Sequence, residues 1–231
     1  MKFRNAARQA GFTLVEIAIV LVIIGLLLVG VLQGQEMIEN TKTKSIVNDM
    51  KAIQAAYNGY LDRYKALPGD ETTATMTARG WGGAATGVAN GVLAIAPATA
   101  FTTGAAEGDA FWRALRGSGL LSGDVTATGL LALPKHGANG MIGVAVGTSA
   151  NNVFGLTGMF VCASGLSTKQ AAAIDVIIDG ALPATQIGAN VGNLRANSGP
   201  ANPLVITALP SAAAYNETAV TDPWTVCMKI G

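Results

Sequence analysis

Glu16 is the residue whose surroundings most demand a chemical explanation. From Phe12 to Leu32 every residue is apolar or small except Thr13 and Glu16. An ionisable side chain in such a run is costly and marks a functional position, provided a partner can be named. The chemistry open to a lone carboxylate there is ion pairing with an amine. Other reactive types are sparse. The single histidine, His136, sits in a Pro134-Lys135-His136-Gly137 turn and is expected to face solvent. No serine stands in a G-x-S-x-G elbow. One histidine and two distant cysteines, Cys162 and Cys227, cannot supply a zinc ligand set. Asp175, Asp179, Glu217 and Asp222 offer oxygen ligands for calcium in the C-terminal half, without EF-hand spacing. No catalytic residues emerge, and an enzyme is not expected.

The element that positions Glu16 follows from the run itself. About 20 apolar residues at about 1.5 Å each cross the hydrocarbon layer of a bilayer. The run has no proline and is dominated by Leu, Ile and Val, so it reads as a membrane-spanning helix over 12–32. Before it lies a polar leader, residues 1–11, carrying Lys2, Arg4 and Arg8. A secretory signal has its apolar block in front of the cleavage site and loses it. Here the small-residue junction Ala10-Gly11 precedes the apolar block, so a cut there leaves the helix on the mature chain. The positive-inside bias puts the leader in the cytoplasm and the bulk of the chain outside it.

Past the membrane the helix is expected to continue. Ile46, Met50, Ile53, Tyr57, Tyr60 and Tyr64 recur at helical spacing, and Leu67-Pro68-Gly69-Asp70 supplies a stop. A helix from Phe12 to about Lys65 would be roughly 80 Å long. Its tyrosines are read as core packing. Residues 71–108 are expected to be loops with one short strand near Val92–Ile95, and Gly80-Trp81-Gly82-Gly83 lacks the strand-to-helix setting of a phosphate cradle. Asp109–Leu121 reads as a short helix. Met141–Val146 and Val153–Cys162 read as antiparallel strands. Ser167-x-x-Gln170 has capping-box spacing and opens a helix to about Asp179. Leu204–Thr207 and Trp224–Ile230 complete the strands. The fold class is therefore α+β: a long N-terminal helix packed on an antiparallel sheet. The domains are 1–11, 12–66 and 67–231. In an exported chain the pair Cys162 and Cys227 is read as bridged, with two buried free thiols as the alternative.

Gly11-Phe12-Thr13-Leu14-Val15-Glu16 and the helix behind it resemble the cleavage and methylation signature of type IV pilins and type II secretion pseudopilins. The resemblance covers about twenty residues. It implies cleavage after Gly11 by a prepilin peptidase and N-methylation of Phe12, and it agrees with the fold just described. It also implies a filament assembled from an inner-membrane pool on an assembly platform, with copies of itself and other pilins or pseudopilins as partners. Glu16 would pair with the Phe12 amine of a neighbouring subunit. A Cys162–Cys227 bridge would resemble the C-terminal disulfide of many pilins. Asp222-Pro223-Trp224 resembles a short motif near the C terminus of major pseudopilins, some of which bind calcium. One departure is Gln33, where many pilins carry proline; Gly30 and Gly34 flank it.

Charge excludes one further class. Removing the three leader cations leaves twelve basic and fourteen acidic side chains, a net of −2. No basic surface for nucleic acid is implied. The expected function is a structural filament subunit, held in the inner membrane by one span and then exported into a periplasmic or cell-surface filament. The competing class is a membrane-tethered binding or enzymatic domain whose helix is only an anchor.

Overall fold

The computed structural model describes residues 13–82, 87–101, 106–180, 191–198, 215 and 223–231. The chain divides into two compact units, Met1–Thr41 and Lys42–Gly231. Helix α1 (Leu14–Tyr64) contributes to both. Its apolar first half and the four-stranded antiparallel sheet of the second unit make the fold α+β.

In the first unit α1 exposes its apolar side chains on every face. Leu14 is 92 % exposed and Leu26 70 %, and the apolar window has no buried share within the chain. By length and composition this helix can cross a membrane. In the second unit the same helix turns amphipathic. Thr43, Ile46, Val47, Met50, Ile53, Ala56, Tyr57 and Tyr60 are buried, at the three- and four-residue steps of one face. The helix stops where Lys65 adopts φ 53° and Pro68-Gly69 follows. The stripe read from the sequence is buried from Ile46 to Tyr60, with its last member, Tyr64, partly buried.

The sheet order is β1 (Ile142–Gly147), β2 (Gly158–Leu166), β4 (Trp224–Lys229), β3 (Leu194–Ser198), with every neighbour antiparallel. Phe160, Val161, Val226, Leu194 and Ala196 are buried in one core with the stripe of α1. The register of β2 on β4 slips between Ala163 and Leu166, and Gly165 there takes φ 72°, the left-handed conformation that a bulge of this kind asks of a glycine. Helix α3 (Ala106–Gly117) buries Phe111, Trp112 and Leu115, with Phe111 stacked 6.4 Å from Tyr57. Helix α4 (Thr168–Asp179) begins with the capping box expected of Ser167 and Gln170: the Ser167 hydroxyl accepts from the Gln170 amide, and the Gln170 side chain accepts from the Ser167 amide.

Several boundaries differ from the sequence reading. The second strand starts at Gly158 rather than Val153, because Asn152 accepts the Gly155 amide and folds 153–156 into a turn. Residues 92–95 form no strand; Ile95 contributes a single carbonyl to Val146. Within the expected loops lies helix α2 (Thr73–Ala78), capped by Thr72. Strand β3 was not expected at all. The expected strand Leu204–Thr207 lies outside the described residues.

Candidate assembly site in the first turn of α1

Thr13 precedes α1 and acts as its N-cap. Its hydroxyl accepts from the Glu16 amide at 3.3 Å. Glu16 Oε2 in turn accepts from the Thr13 amide and the Thr13 hydroxyl, each at 2.9 Å. This reciprocal pattern is a capping box, and it satisfies amides that a helix start otherwise leaves without partners. It also places a carboxylate at the positive end of the helix dipole. The charge of Glu16 is thus held within its own chain. Both bonds use Oε2, and among the described residues Oε1 accepts none. Thr13 is the residue that sequence reasoning missed, although Thr-x-x-Glu is the spacing that signals such a cap.

Gly11 and Phe12, the expected processing residues, lie outside the described residues, as does the leader 1–11. Behind Glu16 the helix offers a continuous apolar surface from Leu14 to Leu32, interrupted by Gly25 and Gly30. A Cβ built on Gly25, Gly30 or Gly34 meets nothing within 4 Å.

In the second unit Cys162 and Cys227 stand directly opposite in β2 and β4, with Cα atoms 4.0 Å apart, and form a disulfide. His136 is not the solvent-facing turn residue that its sequence setting suggested; it is 4 % exposed. Its Nε2 lies 2.8 Å from the Ser164 carbonyl and its Nδ1 accepts from the Ala138 amide at 3.2 Å. That pairing fits the neutral tautomer protonated on Nε2. Burial holds its pKa below the ordinary 6.5, opposed by the Ser164 carbonyl and by the charge of Asp49 on α1. Both ring nitrogens are engaged by backbone groups, which fixes the ring between the turn and β2.

Of the four calcium candidates, Asp175 and Asp179 come together one turn apart on α4. Asp179 is committed elsewhere: its carboxylate accepts from the Asn193 amide at 3.1 Å and the Leu194 amide at 2.7 Å, tying α4 to β3. Asp175 is buried, with Oδ1 unpaired and the buried Tyr215 hydroxyl facing it outside good hydrogen-bonding geometry. Burial pushes Asp175 up to about 6; Asp179 also raises it, while Tyr215 and Arg195 oppose. Glu217 and Asp222 lie outside the described residues. Among the described residues no three His, Cys, Asp or Glu side chains gather as a metal site.

Glu71, buried, and Arg79, partly buried, form a further polar group. Tyr60 donates to Glu71, Arg79 pairs with the same carboxylate, and the guanidinium lies 4.4 Å from the Tyr64 ring centre and 5.2 Å from that of Trp81. Every member has a partner, so the group holds α2 to α1 and presents no vacant ligand position. Trp81, drawn from the glycine-rich stretch, packs here rather than near any anion site.

No curated protein and no solved structure matches the chain. A family model does, over residues 6–32, described as the prokaryotic N-terminal methylation motif. With Thr13 and Glu16 capping the helix that this match covers, the chain carries at its N terminus the signature of type IV pilins and pseudopilins.

Proposed function

We propose that the chain is the structural subunit of a type IV pilin-like filament. The observation that carries this is the apolar first half of α1, exposed on all sides with one charge already fixed at its head. Such a helix is stable in lipid or among other helices of its kind, and not in water. The subunit waits in the inner membrane with its N terminus in the cytoplasm. A prepilin peptidase cleaves after Gly11 and Phe12 is N-methylated. The assembly platform then moves the helix from lipid into the core of a polymer.

Glu16 sets the stagger. An α-amino group has a reference pKa of about 7.7–8.0 and is largely cationic at neutral pH. Methylation to a secondary amine keeps that charge. Thr13 retains Oε2 while Oε1 receives the amine of a neighbouring subunit's Phe12. A buried charge left without its partner costs about 3–5 kcal/mol, so subunits out of register are disfavoured. No enzymatic activity is assigned.

Mass spectrometry of the protein recovered from its own membrane tests the processing step: the mature chain is expected to begin at N-methyl-Phe12. Glu16→Ala is expected to insert into the membrane normally and to be absent from filaments. Recovery of chains still bearing residues 1–11, together with full function in Glu16→Ala, would instead mark the helix as a tether.

A further inference from the structure

Asparagine followed by glycine occurs three times, at Asn58-Gly59, Asn90-Gly91 and Asn139-Gly140. Glycine has no Cβ to screen its backbone nitrogen, so that nitrogen can reach the carbonyl carbon of the preceding side chain. All three asparagines are exposed, so access to water does not separate them. The commitment of each glycine amide does.

Gly59 lies inside α1, where its amide is bound to the carbonyl one turn back. Gly91 donates to Asp70 Oδ2 at 2.7 Å, and the Asn90 side-chain oxygen is itself held by the Val92 amide at 2.9 Å. Gly140 differs. Among the described residues its amide makes no hydrogen bond. Asn139 before it takes φ 67°, in a turn closed by the His136 amide on the Gly140 carbonyl at 3.1 Å and the Asn139 amide on the His136 carbonyl at 2.9 Å.

We propose that Asn139 is a site of spontaneous covalent modification, converting to aspartate and isoaspartate, while the same dipeptide at Asn58 and Asn90 is protected by its backbone bonds. The Gly140 nitrogen attacks Asn139 Cγ. The N–Cγ bond forms, the Cγ–Nδ2 bond breaks, and ammonia leaves carrying the proton surrendered by the amide. Water then adds to one of the two carbonyls of the resulting succinimide. Opening at one side gives aspartate, and opening at the other gives isoaspartate, with the chain routed through Cγ. No oxidant or reductant is involved. The second product adds a methylene to a turn that has no slack: a Cβ at Gly140 would lie 2.0 Å from the Ser164 carbonyl oxygen and 2.4 Å from His136 Nε2. The isomerised turn is therefore expected to loosen its hold on β2.

The test incubates the full-length chain, in detergent micelles, in warm and mildly alkaline buffer, with the same chain in denaturant as the reference for intrinsic reactivity. Peptide mass spectrometry reads amide-to-acid conversion at each site, and enzymatic methylation specific for isoaspartate reads the isomerised share. In denaturant the three sites are expected to react at comparable rates. In the native state Asn139 is expected to lead by on the order of tenfold or more, because the other two need a local opening first. Asn139→Gln, whose longer side chain would have to close a larger ring, removes the fast site and leaves the other two unchanged. Any other native-state order, or no difference among the sites, overturns the proposal.

Discussion

Thr13 and Glu16 divide a labour that the sequence assigns to Glu16 alone. Thr13 keeps the carboxylate bonded within its own chain, and in the proposed filament it is Glu16 Oε1 that receives the neighbouring amine. Thr13→Val keeps the volume and removes the hydroxyl; loss of an N-cap costs about 1 kcal/mol. Filament yield in that variant is expected to fall between wild type and Glu16→Ala, read by counting filaments at equal membrane levels. Two buried titrating groups give opposite pH dependences. His136 has a lowered folded pKa, so its contribution is complete above 6.5 and is lost as pH falls below that value. Asp175 has a folded pKa raised to about 6 from 3.8, so its contribution is present below 3.8 and is lost as pH rises through about 6. Asp175→Asn, which copies the protonated form, is therefore expected to gain stability over the native chain as pH is raised across that window and to hold the gain above it. Thermal melts at a series of pH values check this, and a gain that grows toward acid would refute the assignment. The burial of His136 was illegible locally, since Pro-Lys-His-Gly reads as surface. Its cover comes from Ser164, 28 residues away, and from α1.

Elements were legible where a periodicity or a cap lies within one stretch of chain. The stripe of α1 and the Ser167–Gln170 box are of that kind. Strand β3 is not. Leu194-Arg195-Ala196-Asn197-Ser198 is short and weakly apolar, and it exists as a strand because β4 pairs with it and Asp179 binds its first amide and that of Asn193 before it. Likewise α2 is one turn and a half of Thr, Ala and Met, stabilised by Thr72 and by Met76 in the core rather than by propensity. At this scale the α1 stripe is open to a direct test. Ile53→Ala, at a position 2 % exposed, is expected to cost about 2–5 kcal/mol in urea unfolding of the second unit. Replacing both Cys162 and Cys227 by Ala is expected to cost about 4 kcal/mol, since the closed loop spans 65 positions. The same unfolding curves measured with and without reductant should differ for the native chain and coincide for the double variant.

Among the described residues, exposed large apolar side chains are concentrated in the first half of α1. The unit Lys42–Gly231 encloses its own core, while the large apolar side chains of α1 from Leu14 to Leu32 are exposed. A shortened chain beginning at Lys42 is expected to be monomeric and soluble without detergent, to unfold cooperatively, and never to enter filaments; sedimentation and circular dichroism read these outcomes. Detergent dependence in that shortened chain would mean that the apolar burden is not where the structure places it. The N-terminal methylation motif was legible because it is a linear signal, six residues and a hydropathy run. What the second unit presents to its surroundings was not, because it depends on how distant strands converge.

The covalent bond between β2 and β4 has a corollary for change over time. Its two ends face each other across adjoining strands, while the stretch between them carries α4 and returns one strand, β3, to the far edge of β4. A lineage can therefore lengthen, shorten or repaint the connections between α4, β3 and β4 while pairing and the covalent bond keep the seams of the sheet in place. Variety in what is displayed and constancy in how it is built become separable.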